Sequence, residues 1–163
     1  MLPCGLQLEA YICVMKILMV CLGNICRSPM AEGILQDMAT KAGLNWNVES
    51  AGTNGYHTGE PPHPLSIKVA KQNGIDISCQ RSRRFVAVDI ENYDILYAMA
   101  EDVLEDMRRI AGKKFDHKKV VLMDVPDPWY GTEPGYHEAF SIIYSACEEI
   151  IKEYANKEQK KYA

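Results

Sequence analysis

Lys16-Ile17-Leu18-Met19-Val20 runs straight into Cys21-Leu22-Gly23-Asn24-Ile25-Cys26-Arg27-Ser28-Pro29. The first five residues form a short apolar run closed by turn residues, the pattern of a buried strand. Gly23 and Asn24 tolerate backbone conformations that cost other residues about 1–2 kcal/mol, so a sharp turn is expected there. Ser28 then reads as a helix cap and Pro29 as the first helical residue, where a missing N–H costs nothing. Cys21 thus falls at the carboxyl end of a strand. The loop amides are expected to converge on an anion beside the positive end of the helix. Arg27 offers a planar fork suited to two phosphate oxygens. The same positive field favours the sulfur as a thiolate, the form that attacks. A nucleophile and a cation in this setting are the parts needed to open a phosphate ester. The Gly-Lys-Ser/Thr ending of nucleotide-binding loops is absent.

Outward from that stretch, strands and helices alternate. Pro29–Ala42 has helical apolar spacing and stops at Gly43, and Trp46–Ser50 reads as a second strand. Residues 51–64 are rich in Gly, Pro, Thr and His, and form a long loop of the kind that lines a site. Its His57 and His63 lack Cys or carboxylate partners at metal-ligand spacing and read as surface or cleft-rim residues. Leu65–Asn73 is a short helix ending at Gly74. Tyr93–Met99 reads as a buried strand, Glu101–Ala111 as a helix closed by Gly112, and Lys119–Leu122 as a fourth strand. Pro134 to about Tyr154 forms the closing helix, with Asn156–Ala163 a frayed polar tail. The alternation predicts a parallel, doubly wound α/β sheet. Ligands of such sheets sit beyond the strands' carboxyl ends.

The fourth strand feeds Val125-Pro126-Asp127-Pro128-Trp129-Tyr130-Gly131. Expelling an alkoxide or phenolate from phosphorus is easier when an acid protonates the leaving oxygen. Asp127 lies between two prolines that fix φ and stiffen the loop presenting it. Trp129 and Tyr130 offer flat faces for an aromatic ring. Alone, Pro-Asp-Pro followed by glycine also describes an ordinary turn. Paired with the cysteine loop, Asp127 reads as the acid.

These two motifs together resemble the low-molecular-weight protein tyrosine phosphatase family, and the likeness runs from about Met15 to the last helix. The resemblance implies a four-stranded parallel sheet flanked by helices on both faces, a phosphatase I-like, Rossmann-like three-layer fold. It implies hydrolysis of phosphotyrosine in proteins through a phosphocysteine, with inorganic phosphate released. Position by position, it makes Cys21 the nucleophile, Arg27 the phosphate-binding cation and Asp127 the general acid and base. The loop residues Leu22, Gly23, Asn24, Ile25, Cys26 and Ser28 would surround the phosphate, with Asn24 and Ser28 also holding the loop's shape. Tyr56, Trp129 and Tyr130 would wall the cleft together with Leu22. Ser50, in Glu49-Ser50-Ala51-Gly52-Thr53, would hydrogen-bond the loop asparagine.

Two departures stand out. Asn73-Gly74-Ile75 occupies the place where many relatives carry His-Gly-Ile, and Met99-Ala100 the place of Met-Asp. Asn73 is expected to replace one hydrogen bond of that histidine, though not its titration. The resemblance also implies that Cys26 can pair with Cys21 under oxidation, the chemistry of reversible thiol protection. Arsenate reduction on the same scaffold would need a relay of two further cysteines, and only Cys79 lies in a comparable region.

Composition fits one ordinary globular domain: 163 residues, 47% of them apolar, enough for a core on both sides of a small sheet. The net charge of −4 and the lack of a basic stripe argue against nucleic acid. Arg81-Ser82-Arg83-Arg84 is the basic exception, a solvated loop or an attraction for an acidic phosphopeptide. Six cysteines suggest disulfides only in a secreted chain. The first segment lacks a basic n-region and carries Glu9, and no run reaches the roughly 18 apolar residues of a membrane span. A cytoplasmic monomer with free thiols, needing no cofactor and no metal, is the expectation. Residues 15–163 are expected to form a single phosphatase domain, with Met1–Val14 an extension or upstream start whose Cys4 and Cys13 have no catalytic meaning.

Overall fold

The computed structural model describes residues 14–162, so Met1–Cys13, with Cys4 and Cys13, lie outside the described residues. Four parallel strands form one sheet in the order β2-β1-β3-β4: β1 (Met15–Cys21), β2 (Trp46–Gly52), β3 (Ile95–Ala98) and β4 (Val120–Leu122). Five α-helices cover it: α1 (Arg27–Lys41), α2 (Pro64–Gln72), α3 (Asp89–Asn92), α4 (Glu101–Ala111) and α5 (Glu133–Tyr162).

The strand period of two divides β1 between two cores. Ile17, Met19 and Cys21 point into a cluster completed by α1, α2 and α5, including Ile34, Val69 and Ile143. Leu18 and Val20 point into a second cluster with Ile90, Val103 and Met107. A strand buried on both faces reads as a continuous apolar run, which is why Lys16–Val20 is legible without alternation. The chain leaves β1 to one side to make β2, then crosses to the other side for β3. Cys21 therefore ends the strand at which the winding reverses, where a crevice opens above the sheet. Among the described residues, no helix is long and apolar enough to cross a membrane.

The largest boundary differences from the sequence reading are at two helix ends and one strand. The first helix begins at Arg27 with Cys26 as its N-cap, and no side chain caps it. Ser28 is therefore inside the first turn, and its hydroxyl is spent on Cys21 rather than on a helix amide. The closing helix continues through Tyr162 instead of fraying at Asn156. Tyr154 packs edge-on against Trp46, and the ion pairs Glu149–Lys152 and Glu153–Lys157 support the polar turns. The strand reading of 93–99 shortens to Ile95–Ala98, because Asp89–Asn92 forms a helical turn capped at Tyr93. Gly112, with φ of 53°, ends α4 as expected.

Candidate active site

Between β1 and α1 the chain wraps around the Cys21 sulfur. Asn24 makes the turn with φ of 56°, a left-handed conformation that asparagine tolerates. Gly23 does not share that conformation; its missing side chain matters because a Cβ there would sit 3.2 Å from His57 Cδ2. Five of the loop's carbonyls are turned outward onto donors of the surrounding scaffold. Thr53 N–H donates to Cys21 O and Asn54 N–H to Leu22 O, both at 2.9 Å, while His63 N–H donates to Ile25 O at 2.7 Å. Ser82 Oγ donates to Gly23 O and Ser66 Oγ to Cys26 O. With the carbonyls committed outward, the amides of Gly23, Ile25 and Cys26 have no protein acceptor among the described residues. Together with the open N-terminus of α1 they make a ring of donors, the arrangement that binds an anion.

The sulfur itself receives two hydrogen bonds. Asn24 N–H donates to Cys21 Sγ at 3.2 Å, and Ser28 Oγ lies 3.0 Å away. Arg83 N–H donates to Asn24 Oδ1, which fixes the amide so that Nδ2 faces the serines. Asn24 Nδ2 donates to Ser28 Oγ at 2.8 Å and to Ser50 Oγ at 2.9 Å. Ser28 thereby accepts from Asn24 and keeps its own proton for Cys21, so the sulfur is the acceptor of both hydrogen bonds. Ser50 in turn donates to a Glu32 carboxylate oxygen. Burial pushes the Glu32 carboxyl up to about 7, against the opposing hydrogen bond from Ser50.

Arg27 is buried at 4% exposure beneath the loop. Its NH1 donates to Val125 O at 3.1 Å and its NH2 reaches Asp127 Oδ2 at 3.4 Å. Its Nε is buried without a hydrogen-bond partner among the described residues. A buried guanidinium donor left open is costly unless something negative completes it. Asp127 is the far wall of the same cavity, about a third exposed, with its Oδ1 accepting from Trp129 N–H at 3.1 Å. The cavity encloses about 210 Å³, bounded below by the loop and at the sides by Leu22, Tyr56, Trp129 and Tyr130. Its floor is charged and its sides are apolar, a shape suited to a phosphate carrying a flat ring.

Most of the residues singled out from sequence meet here. Cys21, Leu22, Gly23, Ile25, Cys26, Arg27, Tyr56, Asp127, Trp129 and Tyr130 line the cavity, while Asn24, Ser28 and Ser50 stand behind the loop. Asn73 is the correction. Its Nδ2 donates to Val69 O at 2.8 Å at the end of α2, and the bond expected of it is supplied by Arg83 N–H instead. Cys26 is buried, with its sulfur 3.7 Å from the Tyr136 hydroxyl, and burial pushes its thiol up to about 12. It is therefore a neutral thiol beside the nucleophile.

The basic cluster divides. Arg83 is paired with Asp89 and Tyr93, and Arg81 is folded onto the carbonyls of Ser78 and Gln80. Arg84 is exposed, its stem against Gly55 near the rim.

The cleft-rim reading of His57 agrees with its place in the wall, whereas sequence reasoning missed Asn54 there and the structural weight of Gly52. A Cβ on Gly52 would stand 2.9 Å from Leu22 O and Gly23 C, so only glycine lets β2 press against the loop. Its place at the end of a strand, between Ala51 and Thr53, was the available signal.

Comparison with known proteins converges with this geometry. Residues 16–161 match the family model for low molecular weight phosphotyrosine protein phosphatase. The low molecular weight protein-tyrosine-phosphatase YfkJ of Bacillus subtilis is 34% identical over 90% of this chain and 99% of its own. A crystal structure of a protein tyrosine phosphatase from Entamoeba histolytica, with Hepes in its active site, superposes with a TM-score of 0.82. It is 33% identical and covers 88% of this chain and 99% of that one. Vibrio vulnificus Wzb in complex with benzylphosphonate superposes at 0.78, with 30% identity over 85% of this chain and 98% of its own. The chain belongs to the low molecular weight phosphotyrosine protein phosphatase family.

Proposed function

We propose that this protein hydrolyses phosphotyrosine in proteins through a phosphocysteine on Cys21. The observation that carries the reading is the position of Arg27. One buried guanidinium lies beneath the donor ring that holds the Cys21 loop, has an open Nε, and reaches Asp127 with its NH2 at 3.4 Å. Nucleophile, anion site and acid thus meet at one point with apolar walls above. The benzylphosphonate bound by the Vibrio relative is a phosphoryl group on an aryl-bearing carbon, the same combination of charge and ring.

In the first step the Cys21 thiolate attacks phosphorus in line, forming S–P as the P–O bond to tyrosine breaks. The loop amides and Arg27 hold the charge on the equatorial oxygens. Asp127, entering as the acid, delivers its proton to the leaving phenolic oxygen, so tyrosine departs neutral. In the second step the Asp127 carboxylate takes a proton from water. The oxygen bonds to phosphorus, the S–P bond breaks, and phosphate and the Cys21 thiolate are released. Ser28 donates to the sulfur in both its attacking and leaving roles. Leu22, Tyr56, Trp129 and Tyr130 flank the ring, which favours aryl over alkyl esters.

Residues 15–163 are read as the whole catalytic domain, acting as a monomer in the cytoplasm. Deleting Met1–Val14 is expected to leave turnover unchanged, and a dead truncated enzyme would overturn that domain assignment. The functional test is a set of assays on para-nitrophenyl phosphate and on a phosphotyrosine peptide, each with and without EDTA. Turnover of both, unaffected by the chelator, is expected. Turnover of neither, or arsenate-dependent oxidation of a thiol partner in its place, would refute the reading.

A further inference from the structure

Across Trp129 from the catalytic cavity lies a second, wider groove of about 480 Å³ that the chemistry above does not use. Ile25, His57 and Trp129 line both spaces, so the two adjoin across a shared wall. The far side of the groove is Pro61, Pro62 and Pro64, with Ile67 of α2 beneath. Three prolines in four residues leave this wall few alternative conformations. The segment is also tied down: His63 N–H donates to Ile25 O at 2.7 Å, Ser82 N–H to Glu60 O at 2.9 Å, and Glu60 N–H to His57 O at 2.9 Å. The His63 ring stacks on Tyr136 and meets Trp129 edge-on, and His57 approaches Trp129 from the loop, both at 5.5 Å between ring centres. Among the described residues Glu60 is the one acid on the rim, and it is paired with His57 at 2.8 Å.

A preformed apolar groove joined to the catalytic cavity costs little ordering entropy when a ligand fills it. A phosphopeptide whose tyrosine enters the cavity must lead its backbone out over the rim. An extended chain advances about 3.3 Å per residue, so a side chain within three positions reaches across Trp129. The lining is proline, isoleucine and tryptophan, which suits a branched aliphatic side chain and offers an acidic one only the neighbouring Glu60.

We propose that this groove is a specificity subsite that seats an aliphatic side chain of the substrate, one to three residues from the phosphotyrosine. The proposal rests on the phosphotyrosine reading above and narrows its substrate class. It is tested with phosphotyrosine peptides in which each of the three positions on either side is in turn Leu, Gly or Asp. One position is expected to favour Leu over Gly by about tenfold in kcat/KM, carried by KM, with Asp below Gly. The variants Ile67→Glu and Pro61→Glu place a carboxylate in the groove and should bring the Leu/Gly ratio to within twofold. Turnover of para-nitrophenyl phosphate, which does not reach the groove, should stay within twofold in both. Pro61 is exposed, so its variant remains informative if Ile67→Glu folds poorly. A flat response at all six positions, or a Leu preference that survives Pro61→Glu, would overturn the subsite. Failure to turn over any aryl phosphate would instead overturn the phosphatase reading itself.

Discussion

The two halves of the catalytic cavity are built in opposite ways. The Cys21–Ser28 half is mostly buried; five of its carbonyls are claimed by donors from the 51–64 loop, α2 and Ser82, and Arg83 N–H holds the Asn24 side-chain amide. The Asp127–Gly131 half stands in water: Trp129 is 42% and Tyr130 91% exposed. It is held by the two prolines, by Trp129 N–H on Asp127, by Gly131 N–H on Pro128 O, and by the reach of Arg27. The attacking half must present fixed dipoles before any charge develops, because reorganising them during the reaction would cost what they gain. The acid half must admit a ring, give up a proton and let the product leave, and it needs fewer ties. Damage to the first half should therefore lower stability and activity together, whereas damage to the second should lower activity alone.

The largest effect belongs to the nucleophile of the braced half. Cys21→Ser should lose about 10⁴-fold or more in kcat on every substrate, since covalent chemistry fails whatever the leaving group. Asp127→Asn should separate substrates instead. A loss of about 10²–10³-fold in kcat/KM, which reports the first step alone, is expected on phenyl phosphate, whose leaving oxygen needs a proton, and about tenfold or less on para-nitrophenyl phosphate. Its melting temperature should match that of the parent. Equal losses on the two esters would remove Asp127 as the acid.

Gly52→Ala strikes behind the rigid half. Its Cβ would press on Leu22 O and Gly23 C at 2.9 Å, so a stability loss of about 1–3 kcal/mol is expected, accompanied by lower kcat. A variant that melts like the parent would break the claim that this half is tightly braced.

Glu32, behind Ser50, sharpens the same point through pH. In the unfolded chain it ionises near 4.5, but in the folded one it keeps its proton to about 7. Between those values the folded state holds more protons, so this group's contribution to stability falls as pH rises and then levels. Glu32→Gln should remove that slope, so its advantage over the parent grows by about 3 kcal/mol between pH 4.5 and 7. Parallel melting curves across that range would contradict the burial argument. The smallest effect belongs to the exposed rim. Tyr130→Ala should raise KM by about two- to fivefold and leave melting unchanged, because a ring left largely in water gives up little area.

The same contrast explains how much could be read from the chain. The strand ahead of Cys21, the turn, the cation and the acid loop are local patterns, and all were legible. So was the alternation of strands and helices that places them above one sheet edge. The bracing was not. Arg83 supplies the bond expected of Asn73, and Ser82 holds Gly23 O from 59 residues away. Contacts between such distant positions leave no periodicity in a single sequence. Ser28 was misread for a related reason, since a hydroxyl ahead of proline marks a helix cap unless a sulfur claims it first. The tail of α5 was read as frayed from its polarity, whereas intrahelical ion pairs carry it onward.

The central claim is that the sulfur of Cys21 becomes bonded to phosphorus within the donor ring. The most direct measurement is rapid mixing of Asp127→Asn enzyme with para-nitrophenyl phosphate, followed by acid quench, digestion and mass analysis. A burst of nitrophenolate matching the enzyme concentration, with a phosphoryl group on the peptide carrying Cys21, is the predicted result. A phosphoryl group on another residue, or turnover that persists in Cys21→Ser, would contradict it.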